Sequence, residues 1–207
     1  WQFIPPTARE YGLKMNWLYD GRRDVLESTR AATYFLGDMH RHFNGNWLLA
    51  IASYNTGAGN VGKAIDRANK LFGKPSYWDL NLPRETELYV PRLLALSKII
   101  YDPAKYGFKI ADIKNVKFTQ KVKIYDPIDF QTLSIITGLS LDELTKLNPG
   151  FSTWIIDPAQ QNTLLLPNQI SKVFRERYNK ISKSIYKNKI HKVQKGDSLY
   201  KISRIYN

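Results

Sequence analysis

The sequence predicts a mainly α chain, with a helical domain over roughly the first hundred residues followed by small α+β units of βααβ type. Three observations carry that reading. Apolar residues recur at three- and four-residue intervals between Ser28 and Ile100, the texture shifts past Gly107 to a loose period of two, and Asn-Gly, Gly-Ala-Gly and Asp-Pro steps punctuate the joins. With 207 residues, 43% hydrophobic and 24% charged, the composition is globular and long enough for one or two packed cores. No stretch approaches the roughly 18 uninterrupted apolar residues that would cross a bilayer, so the chain reads as soluble. Cysteine is absent, which excludes disulfide scaffolds, thiol nucleophiles and thiolate zinc sites. The chain opens at Trp1 with no charged-then-apolar leader, and sequence upstream of it is expected.

The elements follow in order. Ser28 is read as the cap of a first long helix whose stripe is Ala32, Phe35, Leu36, Met39 and Phe43, ended by Asn44-Gly45. Asn46 precedes Trp47 to Ala52, an almost wholly apolar run that reads as a buried central helix, and the polar stretch Ser53 to Asn60 is expected to break it. A third helix from Val61 to Phe72 carries Ala64, Ile65, Ala68 and Leu71. A fourth from Thr86 carries Val90, Leu93, Leu94, Leu96 and Ile100, and Asp102-Pro103 closes the helical region. Val116 to Ile124 then reads as an exposed strand, Phe130 to Thr137 as a helix stopped by Gly138, and Ser140-Leu141-Asp142-Glu143 as a capping box opening a short helix that ends at Asn148-Pro149-Gly150. Leu164 to Pro167 returns as a strand. A partial echo of this unit starts at His191-Lys192-Val193 and runs into Gly196-Asp197-Ser198-Leu199 and a helical stretch with Ile202 and Ile205.

Most of the net charge of +13 sits in the tail: from Ser171 to Asn207 there are 11 basic and 2 acidic residues, net +9. Such a tail attracts polyanions by screened long-range forces. It lacks the aromatic interleaving of a nucleic-acid module, so it reads as a solvated basic linker and no nucleic-acid partner is expected.

Most motif chemistry is excluded. His40-Arg41-His42 puts its imidazoles on different helix faces without a third ligand, so no metal site is expected. Gly57-Ala58-Gly59 lacks a preceding strand and a third glycine, and reads as an interhelical loop in place of a phosphate cradle. No Ser-His-Asp set stands out. What remains is a group of polar and aromatic residues at helix mouths: Gln2, Tyr54, Asn55, Glu85, Thr86 and Tyr89. Aromatic and amide groups suit sugar rings, which stack their apolar faces and direct their hydroxyls and acetamides into hydrogen bonds. On spacing alone each could equally be a cap or a buried, satisfied polar group, and Glu85 a helix-dipole partner.

Three motifs in order, Trp1-Gln2-Phe3-Ile4-Pro5-Pro6-Thr7-Ala8 with Glu10-Tyr11-Gly12-Leu13, Ala52-Ser53-Tyr54-Asn55-Thr56-Gly57, and Leu82-Pro83-Arg84-Glu85-Thr86 with Tyr89-Val90, resemble the lytic murein transglycosylases of the membrane-bound D type. Asp20, Arg22 and Asp24 ahead of Ser28-Thr29, and Asp102-Pro103 with Tyr106-Gly107-Phe108, extend the likeness over residues 1–108. The resemblance implies a lysozyme-like fold of the goose type. At the other end, Val193, Lys195-Gly196-Asp197-Ser198-Leu199 and Ile202 resemble the opening of a LysM peptidoglycan-binding module. Residues 116–168 resemble a degenerate LysM unit, matching its second half (Ser140, Leu144, Leu147-Asn148-Pro149, Leu165, Pro167) without the Gly-Asp opening. The expected organisation is therefore a transglycosylase domain over 1–108 lacking its N-terminal catalytic helix, a degenerate LysM-like unit over 116–168, a basic linker over 169–189 and half a LysM module over 190–207.

The resemblance also implies a reaction. One glutamate protonates the glycosidic oxygen between N-acetylmuramic acid and N-acetylglucosamine, then acts as base on the muramyl 6-hydroxyl, closing a 1,6-anhydro ring without consuming water. By resemblance that glutamate lies upstream of Trp1, outside this chain. Gln2 and Phe3 would line the groove, Tyr54 would hydrogen-bond the acid, Asn55 would contact substrate, and Glu85, Thr86 and Tyr89 would complete the cleft. Gly196, Asp197, Ser198 and Leu199 would bind glycan in the LysM module. Glu10, Glu27 and Asp38 read as surface carboxylates and Glu85 as a supporting one, so little turnover is expected of these residues alone. No cofactor is expected, the implied partner is the peptidoglycan glycan strand, and the implied state is a monomer in the bacterial envelope, facing the periplasm, with any lipid anchor outside the chain. The alternative is a non-catalytic peptidoglycan-binding protein.

Overall fold

The computed structural model describes residues 1–182 and 191–206. It comprises two compact units, one formed by Trp1, residues 10–12 and 29–115, the other by residues 2–9, 13–28 and 116–207. The elements in chain order are α1 (Pro5–Glu10), α2 (Val25–His42), α3 (Trp47–Thr56), α4 (Ala58–Phe72), α5 (Arg84–Tyr101), β1 (Thr119–Lys123), β2 (Ile128–Asp129), α6 (Phe130–Thr137), α7 (Leu141–Leu147), β3 (Ile155–Ile156), β4 (Thr163–Pro167), α8 (Asn168–Ser182) and α9 (Leu199–Tyr206).

In the first unit, Asn46 caps α3, its side-chain oxygen accepting from the N–H groups of Leu48 and Leu49. Ala50 and Ala52 are fully buried, so α3 is central as expected, although Trp47 at its start is half exposed. The expected break at Ser53 is corrected: α3 runs on to Thr56, because Ser53 Oγ bonds back to the Leu49 carbonyl and the stop comes from Gly57 at φ 88°. That left-handed turn passes directly into α4, three residues earlier than the sequence suggests. The core joins Ala52 of α3 to Val61, Ala64 and Ala68 of α4, Tyr77, Leu80 and Leu82 of the connection, and Val90 of α5. α5 starts at Arg84, two residues ahead of the expected Thr86, and carries Pro91 within it.

The second unit is built on β1 and β4, antiparallel in register Thr119↔Pro167 through Lys123↔Thr163, with α6 and α7 between them. α6 has the expected bounds, stopped by Gly138 at φ 75°, and α7 opens on the expected capping box between Ser140 and Glu143. A second two-stranded pair, β2 with β3, adds to the expected βααβ plan. Ile124, Leu133, Ile136, Leu144, Ile156, Leu164 and Leu166 are essentially inaccessible. Two corrections fall here. Asp24, not Ser28, caps α2: its Oδ1 accepts from the N–H groups of Leu26 and Glu27, and Ser28 lies in the first turn with its hydroxyl on the Asp24 carbonyl. The stretch 169–189, expected as a solvated linker, is a helix as far as Ser182, since Phe174 and Tyr178, one turn apart, enter the core; residues 183–190 lie outside the described residues.

Residues 13–28 group with this second unit. The backbone of Leu18 accepts from Ser152 N at 2.9 Å, Asp20 N donates to Gly150 O at 2.7 Å, and the Tyr19 ring meets Phe151 edge-on at 5.3 Å. Gly150 is required by contact: a Cβ there would lie 2.7 Å from Tyr19 Cε2. The Tyr19 hydroxyl donates to Asp24 Oδ2 at 2.8 Å, and burial raises its pKa well above the ordinary phenol value.

Candidate functional site

In the first unit the last turn of α3 and the first turn of α5 meet through one amide. Asn55 Nδ2 donates to Glu85 Oε1 at 3.0 Å, and Asn55 Oδ1 accepts from Thr86 Oγ1 at 2.6 Å. A carboxylate oxygen only accepts, so the amide nitrogen must face Glu85 and the carbonyl must face the Thr86 hydroxyl. Thr86 is 1% exposed and Glu85 is on the surface, so the amide is pinned from a buried side and an open side. Its second N–H and second lone pair remain for a ligand acetamide or hydroxyl. Tyr89, about five-sixths of a turn beyond Thr86 by α-helical geometry, is half-buried and packs against the core.

Beside Asn55, Tyr54 takes part in a ladder of edge-on rings. Its ring lies 5.6 Å from Trp1 and 5.7 Å from Phe35, which in turn lies 5.4 Å from Tyr11. Trp1 is held by a hydrogen bond from its Nε1 to Thr29 Oγ1 at 2.8 Å, yet stays half exposed, so it offers an indole face fixed in direction. Sequence reasoning placed Tyr54, Asn55, Glu85 and Thr86 at helix mouths, and in the structure Asn55 hydrogen-bonds Glu85 and Thr86, while the neighbouring Tyr54 meets Trp1 and Phe35. It missed Trp1 and Phe35 as their aromatic support, although the recurrence of rings at 1, 11, 35 and 54 was visible. Gln2 and Phe3 fall in the second unit, Phe3 buried and Gln2 exposed.

The remaining carboxylates have other engagements. Asp38 is paired with Arg41, and the Tyr11 phenol is pushed up to about 12 by burial first and the nearby Asp38 second. Glu27 is paired with Lys121 at 3.1 Å, and Glu10 is exposed. Asp20 grips Arg22 through two bonds of 2.9 and 2.7 Å, which hold its carboxyl below the ordinary range. Among the described residues no group of three His, Asp or Glu could hold a metal, and His40 stacks on Trp47 at 4.2 Å between ring centres.

The second unit has a groove of about 910 Å³ lined by Trp17, Phe130, Gln131, Thr145, Thr153 and Trp154. The two indoles are 72% and 67% exposed. Isolated tryptophans in polar loops, at 17 and 154, were the signal for this groove, and sequence reasoning did not use it. Near the C-terminus Gly196 turns the chain at φ 98°, and Asp197 Oδ2 accepts from Gln194 N at 2.6 Å and meets His191 Nε2 at 2.9 Å. The Gln194 amide first and His191 second lower the Asp197 pKa. Ser198 Oγ accepts from Lys201 N at 3.3 Å at the start of α9, and Leu199 is 87% exposed. Asp197 and Ser198 thus shape the turn, leaving Leu199 outward.

A helical domain followed by a βααβ unit accords with the lysozyme-like and LysM-like organisation that the motifs imply. Residues 1–75 match the family described as Transglycosylase SLT domain, residues 118–183 the Lytic transglycosylase MltD, LysM-like domain, and residues 191–207 the LysM domain. Over these three stretches the chain is similar to a fragment of the D-type lytic murein transglycosylases. It is 36% identical over 177 residues to "Membrane-bound lytic murein transglycosylase D" of Escherichia coli (strain K12), covering 85% of this chain and 39% of that protein. The same values hold for the protein of that name from Escherichia coli O6:H1. A "Putative tributyltin chloride resistance protein" of Alteromonas sp. (strain M-1) is 43% identical over 75 residues, 34% of this chain and 36% of the relative. The chain spans about two fifths of the length of the D-type relatives it matches. The second match also covers α8, in keeping with the packing of Phe174 and Tyr178.

Proposed function

We propose that this chain supplies the glycan-recognition half of a peptidoglycan lytic transglycosylase, which cleaves the bond between N-acetylmuramic acid and N-acetylglucosamine with formation of a 1,6-anhydromuramyl end. The observation that carries the proposal is the Asn55 amide held between Glu85 and Thr86 beside Tyr54 and Trp1. A fixed amide with one free N–H and one free lone pair complements an acetamide, and an indole face complements the apolar side of a pyranose. Glu85 serves this amide and Asp38 serves Arg41 and Tyr11, so neither is placed as proton donor. The glutamate that protonates the glycosidic oxygen is assigned outside residues 1–207, with Tyr54 as its hydrogen-bond partner. Tyr89 completes the groove.

The Trp17 and Trp154 groove and the Gly196 to Leu199 turn retain the glycan through the LysM-type units. The site of action is the cell envelope, the periplasmic face of the outer membrane being the finer assignment, with any anchor supplied by other parts of the protein. Among the described residues no helix is long and apolar enough to cross a membrane. Titration with peptide-free glycan chains tests the reading: Asn55→Ala is expected to weaken binding about threefold to tenfold, the loss of one or two directed hydrogen bonds. Unchanged affinity for Asn55→Ala would overturn the placement of the site.

A further inference from the structure

The second unit carries a cationic cleft that the glycan-binding groups above do not use. β1 alternates, so Val122 is buried while Lys121 and Lys123 leave the opposite face together, with Tyr125 beyond them. α8 buries Phe174 and Tyr178 and sets Arg175 and Asn179, four residues apart, on a neighbouring exposed strip. Between strand and helix lies a cleft of about 470 Å³, with Thr163 on its wall and Phe174 and Tyr178 as its floor. The Tyr178 hydroxyl accepts from the N–H groups of Tyr125 and Asp126, both at 2.9 Å, which fixes the rim at Tyr125.

No carboxylate lines the cleft. Lys121 is balanced by Glu27 at 3.1 Å, whereas Lys123 and Arg175 form no ion pair among the described residues. Asp126 and Glu176 follow the rim residues in sequence, are exposed and lie outside the lining.

We propose that this cleft binds the free carboxylates of peptidoglycan stem peptides, an inference that rests on the peptidoglycan reading above. A neutral sugar gains nothing from two unpaired cations, whereas a carboxylate takes the planar fork of Arg175 and the point charge of Lys123. Thr163 and Asn179 offer hydroxyl and amide partners to a peptide backbone, and Tyr125 an exposed ring. An anionic membrane is a poorer fit: it is flat, and recruitment to it calls for roughly four to eight clustered cations. The cleft is concave and has two free ones.

The test compares the 207-residue chain with the double variant Lys123→Gln, Arg175→Gln on four probes: intact sacculus fragments, uncharged chains of β-1,4-linked N-acetylglucosamine, a soluble stem tetrapeptide, and vesicles of anionic lipid. The variant is expected to lose about threefold to tenfold in affinity for the intact fragments and the tetrapeptide, and none for the uncharged chains. Both side chains are exposed, and an unchanged melting curve establishes that the fold persists. Equal affinity of the two proteins for the tetrapeptide, or a loss confined to vesicles of anionic lipid, overturns the proposal. Failure of the unaltered chain to bind the uncharged chains would instead count against the glycan reading, while the tetrapeptide still decides this one.

Discussion

Replacing Thr86 by Val removes one hydroxyl from the site and keeps the shape. The Thr86 Oγ1 to Asn55 Oδ1 bond is 2.6 Å long and its donor is 1% exposed, so no water replaces it from the Thr86 side. A neutral hydrogen bond of this kind contributes about 0.5–1.5 kcal/mol net, and Asn55 is half-buried, so its carbonyl regains part of its hydration when the donor goes. The expected cost is therefore about 1 kcal/mol, near the middle of that range. The assay is a double-mutant cycle of Thr86→Val with Asn55→Ala, read from hydrogen exchange of the α3 amides, which reports the first unit alone. Exchange should quicken about threefold to tenfold in Thr86→Val, and the coupling energy should match the single cost. A coupling energy indistinguishable from zero would refute the clamp, and with it the argument that the amide is preset for a ligand.

Three other outcomes follow from the packing. Gly150→Ala should destabilise the second unit by about 1–3 kcal/mol, since the new methyl would sit 2.7 Å from the Tyr19 ring; chemical denaturation checks it, and an unchanged midpoint would deny the contact. Phe174→Ala should cost about 3–5 kcal/mol and open α8 to protease, whereas a solvated linker would show neither effect. Tyr11 has its phenol pKa raised from 10.0 to about 12, so its neutral form supports the fold below pH 10 and that support is lost as pH rises from 10 through about 12; ultraviolet titration should show a late phenolate step near pH 12 that is missing in Tyr11→Phe.

The sequence was most legible where local chemistry decides the structure. Gly138 and the Ser140–Glu143 box set the bounds of α6 and α7, because a left-handed stop and a reciprocal cap need no distant partner. The end of α3 was misread because Ser53, Asn55 and Thr56 look like loop residues; tertiary bonds from Asn55 to α5 let the helix keep them. α8 was hidden by its lysines and arginines, which cover one face while Phe174 and Tyr178 hold the other. Periodicity put Tyr54, Asn55, Glu85 and Thr86 at helix ends but gave no reason for them to converge; motif resemblance did, 30 residues apart in sequence for Asn55 and Glu85. The tryptophan groove was not read because Trp17 and Trp154 come from segments that only the folded backbone, paired at Leu18 and Ser152, brings together.

The most direct measurement is a digestion of purified sacculi, with products identified by mass, using three proteins: residues 1–207, a form at the length of the D-type relatives, and that longer form with Glu85→Gln. The account predicts 1,6-anhydromuropeptides from the longer form, none from residues 1–207, and reduced but measurable release from Glu85→Gln. Anhydro products from residues 1–207 that vanish with Glu85→Gln would make Glu85 the proton donor and contradict the account, and no products from any of the three would leave a peptidoglycan-binding protein in place of an enzyme.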